Sequence, residues 1–362
     1  MALKQAKIHT NNSYLKITNM KINSLKTNNY SRHRFSVAPM IDVTDRHYRF
    51  LARLLSQHAL LFTEMITTGA ILNGDQDYLL GYSPQEHPLV LQLGGSNAAE
   101  LAQCARLGEM YGYDEINLNV GCPSDKVQNY MIGACLMAHP QLVTDCMLAM
   151  IENVKIPVTI KHRIGIDNVD DYDALAKFVD QVSQSGCETF IVHARNAILK
   201  GLSPKQNREI PPLQYDKVYR LKTDFPHLEI IINGGIDNIT DCHAHLTHVD
   251  GVMLGRAANH NSALLTHIDQ QFYGCTLPIT ERRQAANDYF SYMQTQHEQG
   301  TSLHHMSGHI MGLFQGLPGA RALRRHISDN IHGSHANIQV MYDALNLIEP
   351  PLTPIIEVTD QQ

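Results

Sequence analysis

The stretch EINLNVGCP, residues 115–123, is a short apolar run that ends abruptly at a glycine, a cysteine and a proline. Runs of the same kind occur on both sides of it between residues 35 and 257, separated by polar breaks and amphipathic stretches. They are FSVAPM (35–40), LLFTEMI (60–66), PLVLQLGG (88–95), PVTIKHRIG (157–165), TFIVHAR (189–195), LEIIINGGI (228–236) and GVMLGRA (251–257). Near-continuous apolar strands that alternate with helices are typical of a parallel sheet, because its strands are buried on both faces.

Helical patterns lie between these runs, for example NAAELAQCARLGEMYG at 97–112 and DDYDALAKFVDQVSQSG at 170–186. Eight strand–helix units over this length predict an α/β fold, a (β/α)8 TIM barrel at residues 34–277, rather than an open doubly wound sheet. Beyond residue 277 the pattern is helical and contains no strand-like run, which predicts a small C-terminal helical domain at residues 280–348. Residues 1–33 and 349–362 are expected to be tails.

The composition is that of an ordinary globular protein, with 43% hydrophobic and 18% charged residues among 362. No window reaches the roughly 18 consecutive apolar residues of a membrane span. The seven cysteines are scattered without a CxxC pair, and the 21 histidines show no HExxH-type spacing. We therefore expect no disulfide framework, no metal, a reducing cytoplasmic location and a monomer.

The net charge of −6 disfavours a uniformly basic nucleic-acid binder but leaves room for a local basic face. Residues 1–41 contain no Asp or Glu and several Lys and Arg. We interpret the first 33 residues as a disordered basic tail, with an arm that contacts RNA as the alternative. They contain no apolar core of a secretory signal.

Each predicted strand ends in a polar or conformationally special residue. The carboxyl ends of the strands meet at one mouth of a (β/α)8 barrel, and active sites of this fold lie there. The candidate site residues at these ends are Met40, Gln92, Asn119, Cys122, Lys161, Arg163, His193, Asn233, Gly255 and Arg256. Their convergence predicts one site at the mouth.

The segments NGGI (233–236) and GRA (255–257) close the last two strands and indicate a phosphate-bearing cofactor. Glycines let backbone N–H groups approach an anion, and the loops after strands seven and eight form the usual phosphate site of this fold. No GxGxxG follows a strand, which disfavours a Rossmann-bound nicotinamide. FMN fits better, with Lys161 and Gln92 at the N1–C2=O edge of the flavin and APM (38–40) beneath the ring.

Cys122 follows Gly121, precedes Pro123 and lies beyond the end of its strand, which would place it over the cofactor. The alternative is a packed structural thiol, since cysteine is among the most buried residue types. A thiol of ordinary pKa is mostly protonated at neutral pH, which suits a proton donor better than a nucleophile. Asn119, three residues earlier, has an amide that suits the carbonyl or amide edge of a planar substrate.

Several of these motifs together resemble a known family. APMIDVTDRHYR, LQLGG, NLNVGCPSDKVQ, GACLM, IKHRIGID, VHAR, LSPKQNREIPPL, NGGI and DGVMLGR are similar to those of the tRNA-dihydrouridine synthases, subfamily A. The resemblance runs from about residue 34 to 330, and SPKQNREIPPL and GLPGARALRRHIS are its most specific parts. It implies an FMN enzyme that reduces the C5=C6 bond of D-loop uridines 20 and 20a in tRNA, with NADPH as electron donor.

The resemblance also implies residue roles. Cys122 would protonate C5 while the reduced flavin delivers hydride to C6, and Asn119 would position the uracil with Arg163 close by. The residues implied to hold FMN are Ala38, Pro39, Met40, Gln92, Lys161, His193, Asn233, Gly234, Gly235, Gly255 and Arg256. The implied tRNA contacts are Lys205, Arg208, Arg321 and Arg324. Each pair has i,i+3 spacing, which places two cations on one face of a helical turn.

The chain departs from the family pattern in the loop after Cys122, where Tyr130 and Ile132 replace a glycine-rich turn that ends in an aromatic. Two other functions stay open. A flavin barrel acting on a free pyrimidine or another small enone would have no use for Arg321 and Arg324. An RNA-binding barrel without catalysis would have no use for Cys122 or Lys161.

Overall fold

The structure is a computed structural model that describes residues 30–124, 130–167, 171–332 and 336–348. Its core is a closed sheet of parallel strands. The strands are β1 (Phe35–Val37), β2 (Leu61–Phe62), β3 (Ile66–Thr67), β4 (Leu89–Gly94), β5 (Glu115–Val120), β6 (Val158–Arg163), β7 (Thr189–His193), β8 (Glu229–Asn233) and β9 (Gly251–Leu254). The strand order is β1-β9-β8-β7-β6-β5-β4-β2, and β3 pairs with β4 outside this path.

A parallel bridge between Ser36 and Leu60 closes the ring between β1 and β2. The Val37 N–H donates to the Leu60 carbonyl at 2.9 Å, and the Leu60 N–H donates to the Phe35 carbonyl at 3.1 Å. Each of the eight predicted strand-like runs contains one ring strand, and the run at residues 60–66 also contains the start of β3. The predicted (β/α)8 barrel is therefore confirmed.

Helices connect the strands and continue beyond the last one. They are α1 (Arg46–Leu55), α2 (Thr68–Asn73), α3 (Gln76–Leu80), α4 (Ala98–Tyr111), α5 (Pro140–Ile151), α6 (Tyr172–Ser183), α7 (Tyr215–Asp224), α8 (Ile239–His245), α9 (Arg256–His260), α10 (Ile268–Tyr273), α11 (Arg282–Glu298), α12 (Leu303–Ser307), α13 (Ala320–Asn330) and α14 (Gln339–Asn346). Local sequence explains several helix starts. Asp45 and Asn97, for example, accept backbone N–H groups from the first turns of α1 and α4, as N-cap side chains do.

The barrel interior and the surrounding layer form separate apolar clusters. The interior cluster consists of Ala38, Leu60, Phe62, Val90, Ile191, Ile231 and Met253. The larger cluster fills the space between the strands, the outer helices and α11–α14. Side chains of a strand point alternately inward and outward, so the interior side chains that are not apolar are available to build a site.

The helices after the barrel pack directly on α1. The Phe50 and Tyr292 rings stack with centroids 3.9 Å apart, and His47 Nδ1 lies 2.8 Å from the Tyr292 hydroxyl. His309 Nε2 pairs with the Asp45 carboxylate at 3.0 Å. The predicted helical character of residues 280–348 is confirmed for the part of this segment that the structure describes. No described helix is long and apolar enough to cross a membrane.

Residues 31–33, assigned above to the N-terminal tail, contact the amino-terminal end of the barrel. His33 is buried, and its Nε2 lies 2.9 Å from the Glu115 carboxylate at the start of β5. This contact joins residues 82 positions apart, which no local pattern reveals. The rest of the predicted basic tail, residues 1–29, and the predicted C-terminal tail, 349–362, lie outside the described residues.

Candidate active site

Parallel strand register brings the predicted site residues together at the mouth of the barrel, on two successive inward-facing levels. Asn119 of β5 is the register partner of Lys161 on β6. Arg163 of β6 pairs with His193 on β7, which pairs in turn with Asn233 on β8. The expected convergence of these strand ends is therefore present in the structure.

Three amide groups orient the Cys122 loop. Gln92 Oε1 accepts from Asn119 Nδ2 at 2.9 Å. Asn119 Oδ1 in turn accepts the backbone N–H groups of Gly121 and Cys122 at 3.1 and 2.9 Å. Gln92 Nε2 donates to Asn117 Oδ1 at 2.8 Å. Because Asn119 Oδ1 already accepts two N–H groups of the loop, the side-chain NH2 of Asn119 is the group that can bond a ligand.

The Cys122 thiol is partly exposed and electrically neutral. Burial raises its pKa above the ordinary value, and a hydrogen bond from the Ser124 N–H and nearby cations, Arg163 foremost, oppose this rise. Gly133 packs against the same residue with φ of +84°, and a Cβ there would lie 2.4 Å from the Cys122 carbonyl oxygen. Only glycine fits such a close approach at positive φ, so Gly133 lets the following turn pack closely on the backbone of Cys122.

Lys161 is a buried cation at the centre of the mouth. Its Nζ donates to Asn233 Oδ1 at 3.1 Å, and Asn233 Nδ2 donates to the Met253 carbonyl at 2.7 Å. Burial lowers the pKa of Lys161 to about 7, assisted by the charge of Arg163. Within the described part of the chain no carboxylate pairs with this amine, so an anion bound beside it would favour its charged form.

The glycines after β8 form a narrow cradle next to His193. Gly234 and Gly235 have φ of +114° and +71°. A Cβ on Gly234 would lie 2.5 Å from His193 Cδ2, so no side chain fits there. Burial and neighbouring cations hold the pKa of His193 well below its ordinary value, so it is a neutral hydrogen-bonding group.

The first and last strands border the same mouth. A Cβ on Gly255 would be 3.7 Å from both Ala38 Cβ and Met40 Sδ. The segment 38–40 and Gly255 are thus neighbours that leave ordinary van der Waals space between them. Ala38, Met40 and Gly255 therefore border the same part of the mouth.

Arg163 lies beneath the Cys122 loop. Its Nε donates to the Gly121 carbonyl at 3.2 Å, and its Nη1 donates to the Asn196 and Asn207 carbonyls at 3.1 and 3.0 Å. It is 2% exposed, and burial lowers its pKa to about 10, so it stays charged at neutral pH. Arg163 therefore ties the loop after β5 to the loop after β7.

The loop after β7 carries the first pair of predicted tRNA contacts. Gln206–Arg208 is a 3-10 turn, and the Arg208 N–H donates to the Lys205 carbonyl at 3.0 Å. The guanidinium of Arg208 is close enough to Cys122 to lower the pKa of that thiol. Arg256, which the resemblance places at the FMN site, donates from Nη1 to the Glu209 carboxylate at 2.9 Å.

The second predicted pair lies apart from these groups, on α13. Arg321 is exposed, and Arg324 Nη1 donates to Gln315 Oε1 at 3.1 Å. Arg324 lines a cleft of about 340 Å³ between α9, which follows β9, and the helical segment. The other residues of the cleft are Asn259, His260, Gly308, Met311, Gly312 and Gln315.

Some residues that support the site were not predicted from the sequence. Asn117 is fully buried and holds Gln92, and Thr63 Oγ1 accepts the Gln92 N–H at 3.0 Å. The spacing of Asn117 and Asn119 was a usable signal, because residues two apart on a strand share a face. No local pattern marks Thr63 or Glu209.

The departure noted after Cys122 is only partly described, because residues 125–129 lie outside the described part of the chain. Tyr130 is 74% exposed, whereas Ile132 is buried. A Cβ on Gly94, at the end of β4, would lie 3.0 Å from Ile132 Cγ2. The replacement at residue 132 is thus accommodated in the packing.

The fold and the site define a (β/α)8-barrel enzyme whose mouth combines a neutral thiol, oriented amides, a buried lysine and a glycine cradle. The described residues contain no cluster of three His, Cys, Asp or Glu suited to a metal.

Comparison with known proteins specifies this class further. The family model for dihydrouridine synthase matches residues 36–349. The tRNA-dihydrouridine(20/20a) synthase of Escherichia coli (strain K12) is 53% identical over 342 residues, which cover 94% of this chain and 99% of the relative. The proteins of that name from Pseudomonas putida and Shewanella oneidensis are 56% and 55% identical, over 87% and 88% of this chain and 94% and 95% of their own.

The chain belongs to the dihydrouridine synthase family. It is an oxidoreductase, as the resemblance of its motifs predicted.

Proposed function

We propose that this protein reduces the C5=C6 bond of D-loop uridines 20 and 20a in tRNA to 5,6-dihydrouridine, with FMN as cofactor and NADPH as electron donor. The observation that carries the proposal is the Cys122 loop, whose thiol is held protonated beside the amide of Asn119 and the buried Lys161. The printed names of the relatives, with 20/20a, supply the expected positions.

The mouth fits FMN on its donor set and its shape. Lys161 is a buried cation that an electron-rich flavin edge would keep charged, with Gln92 able to bond the same edge. The cradle of Gly234 and Gly235, closed by neutral His193, admits a phosphate close to the backbone. The remaining residues proposed to hold FMN are Ala38, Pro39, Met40, Asn233, Gly255 and Arg256, whose guanidinium would contribute alongside its Glu209 contact.

The chemistry is a conjugate reduction, because the C4 carbonyl of uracil makes C6 electrophilic. When bound in its reduced form, FMN supplies the hydride for C6. Cys122 donates its proton to C5, and its partly exposed position allows solvent to return that proton afterwards. Asn119 holds a uracil carbonyl through its amide N–H, since its oxygen already anchors the loop.

Arg163 positions the Cys122 loop next to the uracil through its contacts with backbone carbonyls. Arg208 lies near enough to the thiol to meet the phosphate or ribose of the target nucleotide. Lys205 extends this positive surface along the same turn.

The helical segment, residues 280–348, is proposed to be a tRNA-binding domain beside an FMN-binding barrel at residues 34–277. Arg321 and Arg324 lie three residues apart on α13, so they share a face. Contacts of this kind go mostly to phosphates and supply affinity without reading sequence. A net charge of −6 is compatible with them, because a few cations on one face suffice. We propose that the protein acts as a monomer, which light scattering on a sizing column would check.

The experiment combines an absorption spectrum of the purified protein with NADPH turnover on unmodified tRNA and primer-extension mapping of dihydrouridine. A flavin spectrum and new dihydrouridine at positions 20 and 20a support the proposal. A flavin spectrum with turnover of free pyrimidines but not of tRNA would replace it with a small-molecule reductase. A colourless protein that binds tRNA would leave an RNA-binding barrel.

A further inference from the structure

A series of buried polar side chains begins at the amino-terminal end of the barrel, opposite the mouth. His33 Nε2 lies 2.9 Å from Glu115 Oε2. Thr159 Oγ1 donates to the other oxygen of Glu115 at 2.7 Å, and Asn117 Nδ2 donates to Thr159 Oγ1 at 2.9 Å. All four residues are at most 4% exposed.

The series continues without a gap into the candidate active site. Gln92 Nε2 donates to Asn117 Oδ1 at 2.8 Å, and Asn119 Nδ2 donates to Gln92 Oε1 at 2.9 Å. Asn119 Oδ1 accepts the Gly121 and Cys122 N–H groups. We call the residues His33, Glu115, Thr159, Asn117, Gln92 and Asn119 the interior polar chain.

The two ends of the interior polar chain dictate the direction of every bond in it. A carboxylate oxygen accepts, so the Thr159 hydroxyl donates to Glu115 and its oxygen accepts from Asn117. At the other end, the N–H of Cys122 only donates, so Asn119 must present its oxygen to the loop. Both constraints give the same order of donors and acceptors, which leaves neither Gln92 nor Asn119 free to exchange its oxygen and nitrogen.

The His33 ring and the Glu115 carboxylate form a buried pair. Burial alone would lower the pKa of His33, but the charge of Glu115, the hydrogen bond to it and the charge of Glu229 together raise it. The pairing therefore favours the charged form of the imidazole ring. Hydrogen bonds in such a series polarise one another, and a low dielectric strengthens them.

We propose that Thr159, Glu115 and His33 are positioning residues for the reaction at the mouth. Through Asn117 and Gln92 they fix the amide of Asn119, and thereby the backbone that presents Cys122. Among the described residues, the NH2 groups of Gln92 and Asn119 each make one hydrogen bond, which leaves one hydrogen on each for flavin and substrate. The catalytic part of this inference rests on the proposed function above.

Thr159→Val tests the inference, because it keeps the side-chain volume while removing the hydroxyl that joins Glu115 to Asn117. Thr144→Val is the matched control: Thr144 is equally a buried threonine, but on helix α5, where its hydroxyl donates to the Pro140 carbonyl at 2.9 Å. Thr159→Ser restores the hydroxyl and is the rescue variant.

The first readout needs no cofactor or tRNA. Iodoacetamide alkylation of flavin-free protein is followed by mass spectrometry, with partly exposed Cys275 as internal reference. We expect Cys122 to react at least threefold faster in Thr159→Val, because its N–H loses a fixed acceptor, and at the wild-type rate in Thr144→Val and Thr159→Ser. Equal Cys122 rates in Thr159→Val and wild type would overturn the inference.

The second readout is the rate at which tRNA reoxidises NADPH-reduced enzyme. We expect a loss of at least tenfold in Thr159→Val at saturating tRNA, with the KM for tRNA within twofold and full rescue by Thr159→Ser. A change in KM alone would mean that the interior polar chain supports tRNA affinity and not the position of Cys122, which would contradict the inference. If wild type fails to reduce tRNA, the proposed function fails, while the alkylation result still decides the positioning of Cys122.

If Thr159→Val does not fold, Glu115→Gln serves in its place. An amide at residue 115 can donate to Thr159, so the constraint at this end of the interior polar chain is lost and only the Cys122 N–H still sets the direction of its bonds. Cys122 alkylation that stays at the wild-type rate in Glu115→Gln would likewise contradict the inference.

Discussion

Replacing Cys122 with alanine separates the two half-reactions of the proposed mechanism. The variant keeps the backbone that orients the loop, because Asn119 accepts the Cys122 N–H and the Cys122 carbonyl accepts the Ala134 N–H at 2.8 Å. Neither contact uses the thiol. We therefore expect a stability loss of about 1 kcal/mol or less, with FMN content and reduction by NADPH unchanged.

Reoxidation of the reduced enzyme by tRNA is expected to slow strongly in Cys122→Ala. Burial keeps the thiol protonated at neutral pH, so the variant removes a proton donor that is ready to act. General acids contribute about 10²- to 10⁴-fold, which equals about 2.7–5.4 kcal/mol of barrier at 1.36 kcal/mol per tenfold. Stopped-flow absorbance of the flavin measures both half-reactions on the same sample.

Cys135→Ala is the control for this experiment. Cys135 is also partly exposed and lies in the turn 134–138, where its thiol contacts the Ile132 carbonyl at 3.5 Å. We expect tRNA to reoxidise the reduced Cys135→Ala enzyme at the wild-type rate. If Cys122→Ala were reoxidised by tRNA within threefold of wild type, Cys122 would not be the proton donor and the assignment would be wrong.

Three further outcomes are expected. Burial lowers the pKa of Lys161 to about 7, and a bound anion would raise it. FMN affinity should therefore be greatest below pH 7 and fall by up to tenfold per pH unit above it. A fluorescence titration at pH 7–9 should show this slope in the wild type and not in Lys161→Met. Arg321→Ala should reduce the magnitude of the slope of log K against log salt concentration for tRNA binding by about one. Arg325→Ala, at an exposed position of the same helix, is the control. Equal slopes for the wild type and Arg321→Ala in filter binding would show that Arg321 does not contact tRNA. Gly234→Ala should lower the free energy of unfolding by about 1–3 kcal/mol and reduce FMN content, because the new Cβ would lie 2.5 Å from the His193 ring. The control is Gly186→Ala, at φ +89° with no atom within 4 Å of the new Cβ, which should keep its FMN. Thermal melts and flavin absorbance measure the two effects.

The barrel and the position of its mouth were predictable because both follow from short-range patterns. An apolar run that alternates with an amphipathic helix determines a buried parallel strand, and the carboxyl ends of such strands must meet at one edge. Lys161, Asn119, His193 and Asn233 could therefore be placed together without coordinates. The resemblance to a known family supplied the residue roles, which stay predictions for the experiments above.

The contacts that determine what each of these residues does could not be predicted. Arg163 bonds carbonyls 33 and 44 positions away, and its position beneath the loop depends on how two loops after different strands fold together. Arg256 meets Glu209 across 47 positions. Such contacts depend on side-chain rotamers and loop paths, which local periodicity does not report.

The sequence by itself determined the eight strands, the ends at which functional groups gather, and the family. The tertiary structure alone decided that these groups are connected, from His33 at one end of the barrel to Cys122 at the other. The physical reason is strand register. Side chains on neighbouring parallel strands bond only where the register brings them opposite each other, and the sequence of the long crossovers between strands does not reveal that register.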